Sequence, residues 1–378
     1  MATIERILIV GGGIAGLTLA RAFHHQGFRA ELVERSPEWQ AAGAAIQLHA
    51  NGMRILRVLG LAKEIEQAGA VIRHWMFCDQ DGEVLFDTNL EELWGEVGLC
   101  PDIAIDRPRL HQILVSGAAA VPCRLATSVI SLSQEEQRVQ VGFSDGSSSD
   151  YDLVVGADGT SSTVRQLLMG TVQPGYTGVM YWRSLVPIRP PDPTNFRILH
   201  GEGCFFGITP LPGDGPTNVF GAVGMPRTHD PLPGRLARLR KRFAGFGGHV
   251  QQCLAALSRD EQVLCNPAEE VNLDHWYRGR VVLIGDAAHA GAPTMAQAGI
   301  MGMEDAYVLA EALRSAETVE RALSSYETRR KPRVSWVQQH SRVIQESMLM
   351  PTAERNSAFR ERGNQLMHDS FEALIPEP

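Results

Sequence analysis

The sequence has no CxxC pair, no excess of positive charge and no apolar run as long as a membrane span. Each absence removes a class of function. Its six cysteines, Cys78, Cys100, Cys123, Cys204, Cys253 and Cys265, are scattered singly, which argues against a paired-thiol metal or redox motif. They read as free thiols in a reducing cytoplasm. Lysine and arginine number 35 against 43 aspartate and glutamate, a formal net charge of -8, so nucleic acid is not an expected partner. The apolar stretches fall well short of the about 20 residues that cross a bilayer. The N-terminal "MATIERILIVGGG" carries acidic Glu5 where a secretory leader would be basic, and its apolar run is strand-like. No internal repeat or low-complexity segment is present. What remains is the composition of a globular protein, 44% hydrophobic and 21% charged over 378 residues, a length that leads us to expect two domains.

The strongest local signal is at the start. "RILIV" is a short β-branched strand, and "GGGIAG" follows at once with the pattern Gly11-x-Gly13-x-x-Gly16. "LTLARAFHHQG" has helical spacing of Leu17, Leu19, Ala20 and Phe23, with Gly27 placed to end the helix. "RAELVER" is a second strand ending at Glu34. Together these make a βαβ dinucleotide fingerprint. Gly11 permits the tight turn, Gly13 lets backbone approach a pyrophosphate at the helix N-terminus, and Gly16 lets helix and strand pack closely. Glu34 can accept both ribose hydroxyls. An acid there disfavours a 2′-phosphate, so NADP is not expected in this site, and FAD and NAD both fit.

Two further strand-to-loop turns resemble this one in their glycine and aspartate tips. In "YDLVVGADGTSSTVRQLL" a strand runs into Gly156-Ala157-Asp158-Gly159, and Ser161 or Ser162 opens a helix carrying Val164 and Arg165. In "GRVVLIGDAAHAGAP" a strand ends in Gly285-Asp286, and "TMAQAGIMGMEDA" then opens a helix near Gly299. In an open α/β sheet such tips lie at the carboxyl edge, where ligands bind. Asp286 can bond a ribityl hydroxyl, and the helix N-terminus near Gly299 presents N–H groups and a positive dipole end. A reduced flavin carries negative charge at N1 and O2, so this helix is read as pointing at the pyrimidine side of an isoalloxazine.

These three segments, with "GAAIQLHANGMRILRVLGL" and "IDRPRLHQIL" between them, resemble the signatures of the class A flavoprotein aromatic hydroxylases, the family of para-hydroxybenzoate, salicylate and urate hydroxylases. Order and spacing agree over essentially the whole chain. The resemblance implies an α/β fold: a Rossmann-like FAD-binding domain with an inserted, mostly β substrate domain and a C-terminal helical segment. It implies non-covalent FAD, NADH or NADPH as a transient co-substrate, and O2. The activity implied is hydroxylation of an aromatic or heteroaromatic small molecule through a C4a-hydroperoxyflavin. Carried over residue by residue, Gly11, Gly13, Ile14, Ala15, Gly16, Glu34 and Arg35 would hold the ADP half. Gln47 precedes the turn His49-Ala50-Asn51-Gly52, and Arg107 would reach the phosphate or ribityl region. Val129 would contact adenine through its backbone, Asp158 would serve both nucleotides, and Asp286 would bind ribityl. Ala296, Gln297, Ala298, Gly299 and Ile300 would lie beside the flavin ring. The family often writes this last loop G-Q-G-x-N. Alanine can supply the same N–H groups, provided the site does not need a positive φ. No metal site is expected.

The FAD-binding domain is expected over residues 1–72, 99–172 and 274–335, the substrate domain over 73–98 and 173–273, and a helical tail over 336–378. "VMYWRSLVPI", "CFFGITPL" and "TNVFGAVGM" are strand-like and could form a sheet roofing the flavin. Tyr181, Arg183, His200 and Phe205 are the candidates for substrate contact, while Phe206 and Trp182 read as core and His289 as a structural part of its turn. The urate branch is expected to carry an arginine near "GEGCFFGITP", where this chain has Phe205 and Phe206, which favours a more apolar aromatic substrate. Pro332 is expected to break or kink the tail, and Arg329, Arg330, Lys331 and Arg333 read as a solvated helix face. "GEGCFFG" has the wrong spacing for a second nucleotide fold, so NAD(P)H is expected to dock transiently on a monomer or homodimer. The other readings are a flavin enzyme without oxygenation, such as a reductase or a halogenase, and a non-catalytic dinucleotide-binding module. "YWRSLVP" resembles the halogenase WxWxIP motif only loosely, and oxygen uptake with aromatic compounds would separate all three.

Overall fold

The structure is a computed structural model that describes residues 4–40, 44–95, 102–213 and 216–378. Cys100 and the expected boundary at 98–99 lie outside the described residues. The first sheet has six strands in the order Tyr277–Arg278, Val281–Leu283, Leu153–Gly156, Ile7–Val10, Ala30–Val33 and Cys123–Arg124. All neighbours pair in parallel except the Tyr277–Arg278 edge. Ile7, Leu8 and Ile9 are buried, as are Leu153, Val154 and Val155. Such unbroken apolar runs belong to central parallel strands covered on both faces. The helices Ile14–Gln26 and Ala298–Ser315 pack against each other, and Gly27 ends the former in the left-handed region, with φ 81°.

A second sheet has seven strands in the order Leu264–Glu270, Gly175–Val186, Thr217–Gly224, Cys204–Thr209, Asn195–Gly201, His74–Asp79 and Val84–Asn89. Its pairs are antiparallel, apart from Asn195–Gly201 against His74–Asp79. Alternation along each strand separates two faces. Tyr181, Phe205 and Ile198 join the main core, whereas Met180, Trp182, Phe206 and Leu199 build a second one. Helices Arg235–Arg242 and Gly248–Ala256 close that second core through Leu236, Leu239, Val250 and Leu254. The fold is thus a Rossmann-like α/β domain joined to a mostly β one, with the C-terminal helices Val319–Met348 and Thr352–Glu372 laid along them.

Two expectations for this tail are corrected. The helix Val319–Met348 runs on through Pro332. A proline inside a helix costs about 3 kcal/mol, and anchors on both sides offset it: Arg330 and Arg333 grip Glu304, and Lys331 donates to the Asp274 carbonyl. Nor do all four basic residues make a solvated face, although Arg329 is exposed. Arg330 is fully buried and Arg333 nearly so, because the first turns of the helix Ala298–Ser315 place Glu304 and Asp305 opposite them.

Candidate active site

Parallel pairing sets the strands Ile7–Val10, Leu153–Gly156 and Val281–Leu283 side by side, so their three glycine-tipped turns meet at one carboxyl edge. Gly11 has φ 108°, and a Cβ on it would lie 2.5 Å from the Ala157 carbonyl oxygen. A Cβ on Gly16 would lie 2.0 Å from the Gly11 carbonyl oxygen. Both glycines are therefore demanded by close packing within the protein. Gly13 is different: a Cβ there would meet nothing within 4 Å. It opens the helix Ile14–Gln26 without a side-chain cap, leaving N–H groups free at a helix N-terminus, where a phosphate is favoured. Glu34 stands beside this cradle. Its Oε2 accepts from Gly12 N–H at 2.7 Å and its Oε1 from Ser36 N–H at 2.8 Å, so each oxygen keeps a lone pair for another donor. The chain at Ala126 and Thr127 hydrogen-bonds to Ser36 and Glu34, which brings the buried Val129 close to this end. Arg35 is exposed.

Asp286 opens a short helical turn at the end of its strand and accepts from Thr160 Oγ1 at 3.3 Å. The next loop passes through Ala296, whose φ is 52°. The proviso on this departure from the family pattern is therefore met unfavourably: the position does adopt a left-handed backbone, at a cost of about 1–2 kcal/mol for a non-glycine residue. Helix Ala298–Ser315 follows with no side-chain cap. Its base is held by buried charge. Glu304 pairs with Arg330 at 2.6 Å and Arg333 at 2.8 Å, and Asp305 pairs with Arg330 at 2.8 Å and His289 at 2.6 Å. Burial alone would raise the pKa of both acids, but Arg330 and Arg333 pull Glu304 down, and His289 with Arg330 pulls Asp305 down to about 2. Asp305 also accepts from the Gly285 N–H, so the charge cluster fixes the turn that presents Asp286. His289 serves this cluster, in line with its structural reading.

A cavity of about 660 Å³ lies where this edge faces the second sheet. Gly13, Ile14, Ala15, Gln47, Arg107, Asp286, Ala296, Ala298 and Gly299 border it on one side, and Tyr181, Arg183 and Phe205 on the other. Gln47 donates to Asp102, which also holds His49 at 2.6 Å. Arg183 forms no ion pair among the described residues and lies 5.7 Å from the Tyr181 ring. The Tyr181 hydroxyl is buried without a partner, and burial pushes its pKa well up, so it stays protonated. Gln297 and Ile300 sit just behind the loop, buried. Asp158 does not border the cavity. Its carboxylate accepts from Ser162 Oγ and from the N–H groups of Thr163 and Val164, which caps the helix Thr163–Met169. His200 does not reach the cavity either: it is fully buried, stacked on Phe77 and edge-on to Phe359, with neither ring nitrogen bonded.

Much of the cavity wall was not legible in the sequence. Trp75, Phe77, Phe196, Phe220, Met367 and Phe371 all border the cavity, and Phe371 stands edge-on to His49. Phe220 is the one aromatic of the strand-like "TNVFGAVGM", and the face it takes is set by sheet register. Nothing in the sequence placed the tail helix beside the site.

An open, mostly parallel sheet with an empty-fronted Gly13, an acid beside it at the end of the next strand and a β sheet across a shared cavity is the architecture of a Rossmann-type flavoprotein oxidoreductase. The FAD binding domain family matches residues 5–341, and the chain belongs to it. It is 31% identical over 336 residues to the aurachin C monooxygenase/isomerase of Stigmatella aurantiaca, covering 89% of this chain and 87% of that protein. It is 30% identical over 338 residues to the FAD-dependent urate hydroxylase of Klebsiella pneumoniae, covering 87% and 86%. The solved structure of Klebsiella pneumoniae HpxO with FAD and uric acid superposes with a TM-score of 0.89 at 27% identity, over 98% of this chain and 97% of that one. The protein is an FAD-dependent monooxygenase that uses NAD(P)H and O2. No helix among the described residues is long and apolar enough to cross a membrane.

Proposed function

We propose that this monooxygenase hydroxylates a small, largely apolar aromatic or heteroaromatic compound held between the flavin loop Ala296–Ile300 and the roof formed by Tyr181, Arg183 and Phe205. The observation that carries this reading is the single cavity bordered by both the glycine-tipped edge and the aromatic sheet face. The residues present fit FAD, since the open space before Gly13 is where a pyrophosphate needs room. Gly13 to Ala15 and Glu34 would hold the ADP half, Arg107 and Asp286 the phosphate and ribityl region, and the loop at 296–300 the ring. When bound and reduced, FAD activates O2 for transfer of one oxygen atom to the substrate. The chain's own residues orient, dry and polarise. The apolar wall excludes water, the protonated Tyr181 can donate to a substrate oxygen, and the Arg183 cation can stabilise negative charge that develops on it.

The relatives support an aromatic or heteroaromatic substrate bearing oxygen or nitrogen: they include a urate hydroxylase, a 3-amino-4-hydroxybenzoate 2-monooxygenase and a synthase whose product is 2-heptyl-3-hydroxy-4(1H)-quinolone. Phe205, in the segment near which the urate branch is expected to carry an arginine, favours a compound more apolar than urate. Cys78, Cys123, Cys204, Cys253 and Cys265 are all free thiols, which supports a cytoplasmic setting. The test is oxygen uptake by the FAD-loaded protein with NADH or NADPH over a panel of hydroxyarenes and hydroxy-N-heteroarenes, with the products identified by mass. Uptake that yields only hydrogen peroxide with every compound would overturn the hydroxylase reading.

A further inference from the structure

The cavity wall carries one aromatic face that the protein leaves uncovered, and a glycine makes it possible. Phe205, Gly207 and Thr209 alternate on the cavity side of their strand, and Phe205 and Thr209 border the cavity. Phe220 lies across from Gly207 on the next strand. A Cβ on Gly207 would sit 2.1 Å from Phe220 Cζ and 2.3 Å from Cε1. The Phe220 ring therefore lies over the glycine instead of standing up from the sheet. It is stacked beside Phe196, with centroids 6.1 Å apart and planes at 20°, and Phe205 meets it edge-on at 6.1 Å and 81°. Phe205 is 4% exposed, whereas Phe220 and Phe196 stay half-buried. Two rings are thus fixed by neighbours yet open to the cavity. On the other side, Phe220 is the direct cross-strand partner of Arg183, whose side chain shares its face about 5 Å away.

We propose that Phe220, laid over Gly207 and against Phe196, is the part of the roof against which the substrate ring stacks, and that Gly207 is a specificity-determining position. The class this selects is a planar arene bearing an oxyanion or acceptor oxygen within reach of Arg183. The proposal rests on the hydroxylase reading above and narrows it. Stacking on a fixed ring adds attraction beyond simple burial and discriminates flat rings from puckered ones. A side chain at residue 207 would lift the Phe220 ring into the space the substrate needs.

The test is a binding measurement on the FAD-loaded protein, read as perturbation of the bound-FAD absorption during titration. The probes are 4-hydroxybenzoate, 6-hydroxy-2-naphthoate and the saturated 4-hydroxycyclohexanecarboxylate. Wild type should bind both arenes more tightly than the saturated acid. Phe220→Leu should weaken both arenes about fivefold and change the saturated acid less than twofold. Gly207→Ala should do the same with residue 220 intact. The double variant should match Phe220→Leu alone, because without the ring there is nothing to lift. Equal losses for flat and saturated probes, additive effects in the double variant, or no saturable perturbation by either arene in wild type would overturn the proposal. Should Gly207→Ala fail to fold, the probe dependence of Phe220→Leu decides alone. The two readings fail separately. Arene-selective binding without hydroxylated product refutes only the hydroxylase reading, and hydroxylation that is indifferent to Phe220→Leu refutes only the stacking role of Phe220.

Discussion

Asn51 and Gln297 exchange two amide hydrogen bonds across 246 residues of chain, 3.1 Å from Asn51 Nδ2 to Gln297 Oε1 and 3.2 Å in return. Asn51 Nδ2 also donates to Glu304 at 2.9 Å. The loop at 296–300 is thereby tied both to the N-terminus of the helix Ala50–Val58 and to the buried charges beneath it. A loop that must meet a cofactor with defined N–H directions gains from such over-determination.

The charge cluster gives the first prediction. Arg330→Met leaves Glu304 and Asp305 buried with one cation fewer, and breaking a buried pair costs about 3–5 kcal/mol. Arg329→Met, at the exposed neighbouring position, should change stability by less than about 0.5 kcal/mol. Urea unfolding followed by circular dichroism measures both. Similar midpoints for the two variants would mean that the cluster does not hold the fold.

Acid titration isolates one member of that cluster. The Asp305 pKa is held at about 2, below its ordinary 3.8. A depressed carboxyl stabilises above the unfolded value and loses that contribution as pH falls through the folded one. The stability gap between wild type and Asp305→Asn should therefore close by about 2 kcal/mol between pH 4 and pH 2. A gap that stays constant over that interval would sink the assignment.

Ala296 supplies a stabilising change. Its left-handed backbone costs about 1–2 kcal/mol, and glycine would relieve this while giving back about 0.4–1 kcal/mol in unfolded-chain entropy. Ala296→Gly should thus raise stability by about 0.5–1 kcal/mol, and Ala296→Val should lower it. Thermal unfolding of the FAD-loaded protein, with bound FAD quantified, checks the order glycine above alanine above valine.

His200 shows how far sequence reading reaches. Its place in the expected substrate domain makes it a candidate for substrate contact, yet its ring is sealed among Phe77, Phe205 and Phe359. Burial, with Arg355 nearby, pushes its pKa down to about 3. A histidine neutral in the fold and charged when unfolded costs stability as pH falls from 6.5 towards 3. His200→Leu should therefore keep activity, gain about 1–2 kcal/mol at neutral pH by removing unpartnered buried nitrogens, and flatten stability over that acid range. Loss of hydroxylation with folding intact would return His200 to the site.

The same contrast holds across the molecule. Gly11, Gly16, Asp286 and the strand tips were legible because short-range chemistry demands them: a turn, a close approach, a carboxylate at a strand end. Phe220, Phe196 and Phe371 were not, since each matters only through partners brought in by sheet register or by the tail helix. The acidic pair Glu304-Asp305 and the basic run at 329–333 were both visible. Their pairing was not, because it depends on how two helices cross.

The glycine fingerprint supports a last prediction that separates cofactor binding from folding. Gly16 and Gly13 belong to one motif, yet they face different things. On Gly16 a Cβ would strike the Gly11 carbonyl oxygen at 2.0 Å, so Gly16→Ala must move backbone and should destabilise the FAD-free protein by at least about 2 kcal/mol. Gly13 has φ -80° and ψ -172°, an extended conformation that alanine adopts freely, and open space before it. Gly13→Ala should leave the FAD-free protein within about 0.5 kcal/mol of wild type. If the pyrophosphate sits against this backbone, the added methyl group occupies its place and FAD affinity should fall at least tenfold. Titration of the apoprotein with FAD, followed by fluorescence quenching, reads the second effect, and urea unfolding reads the first. Unchanged FAD affinity in a folded Gly13→Ala variant would place the pyrophosphate elsewhere, and with it the ADP half assigned to Glu34.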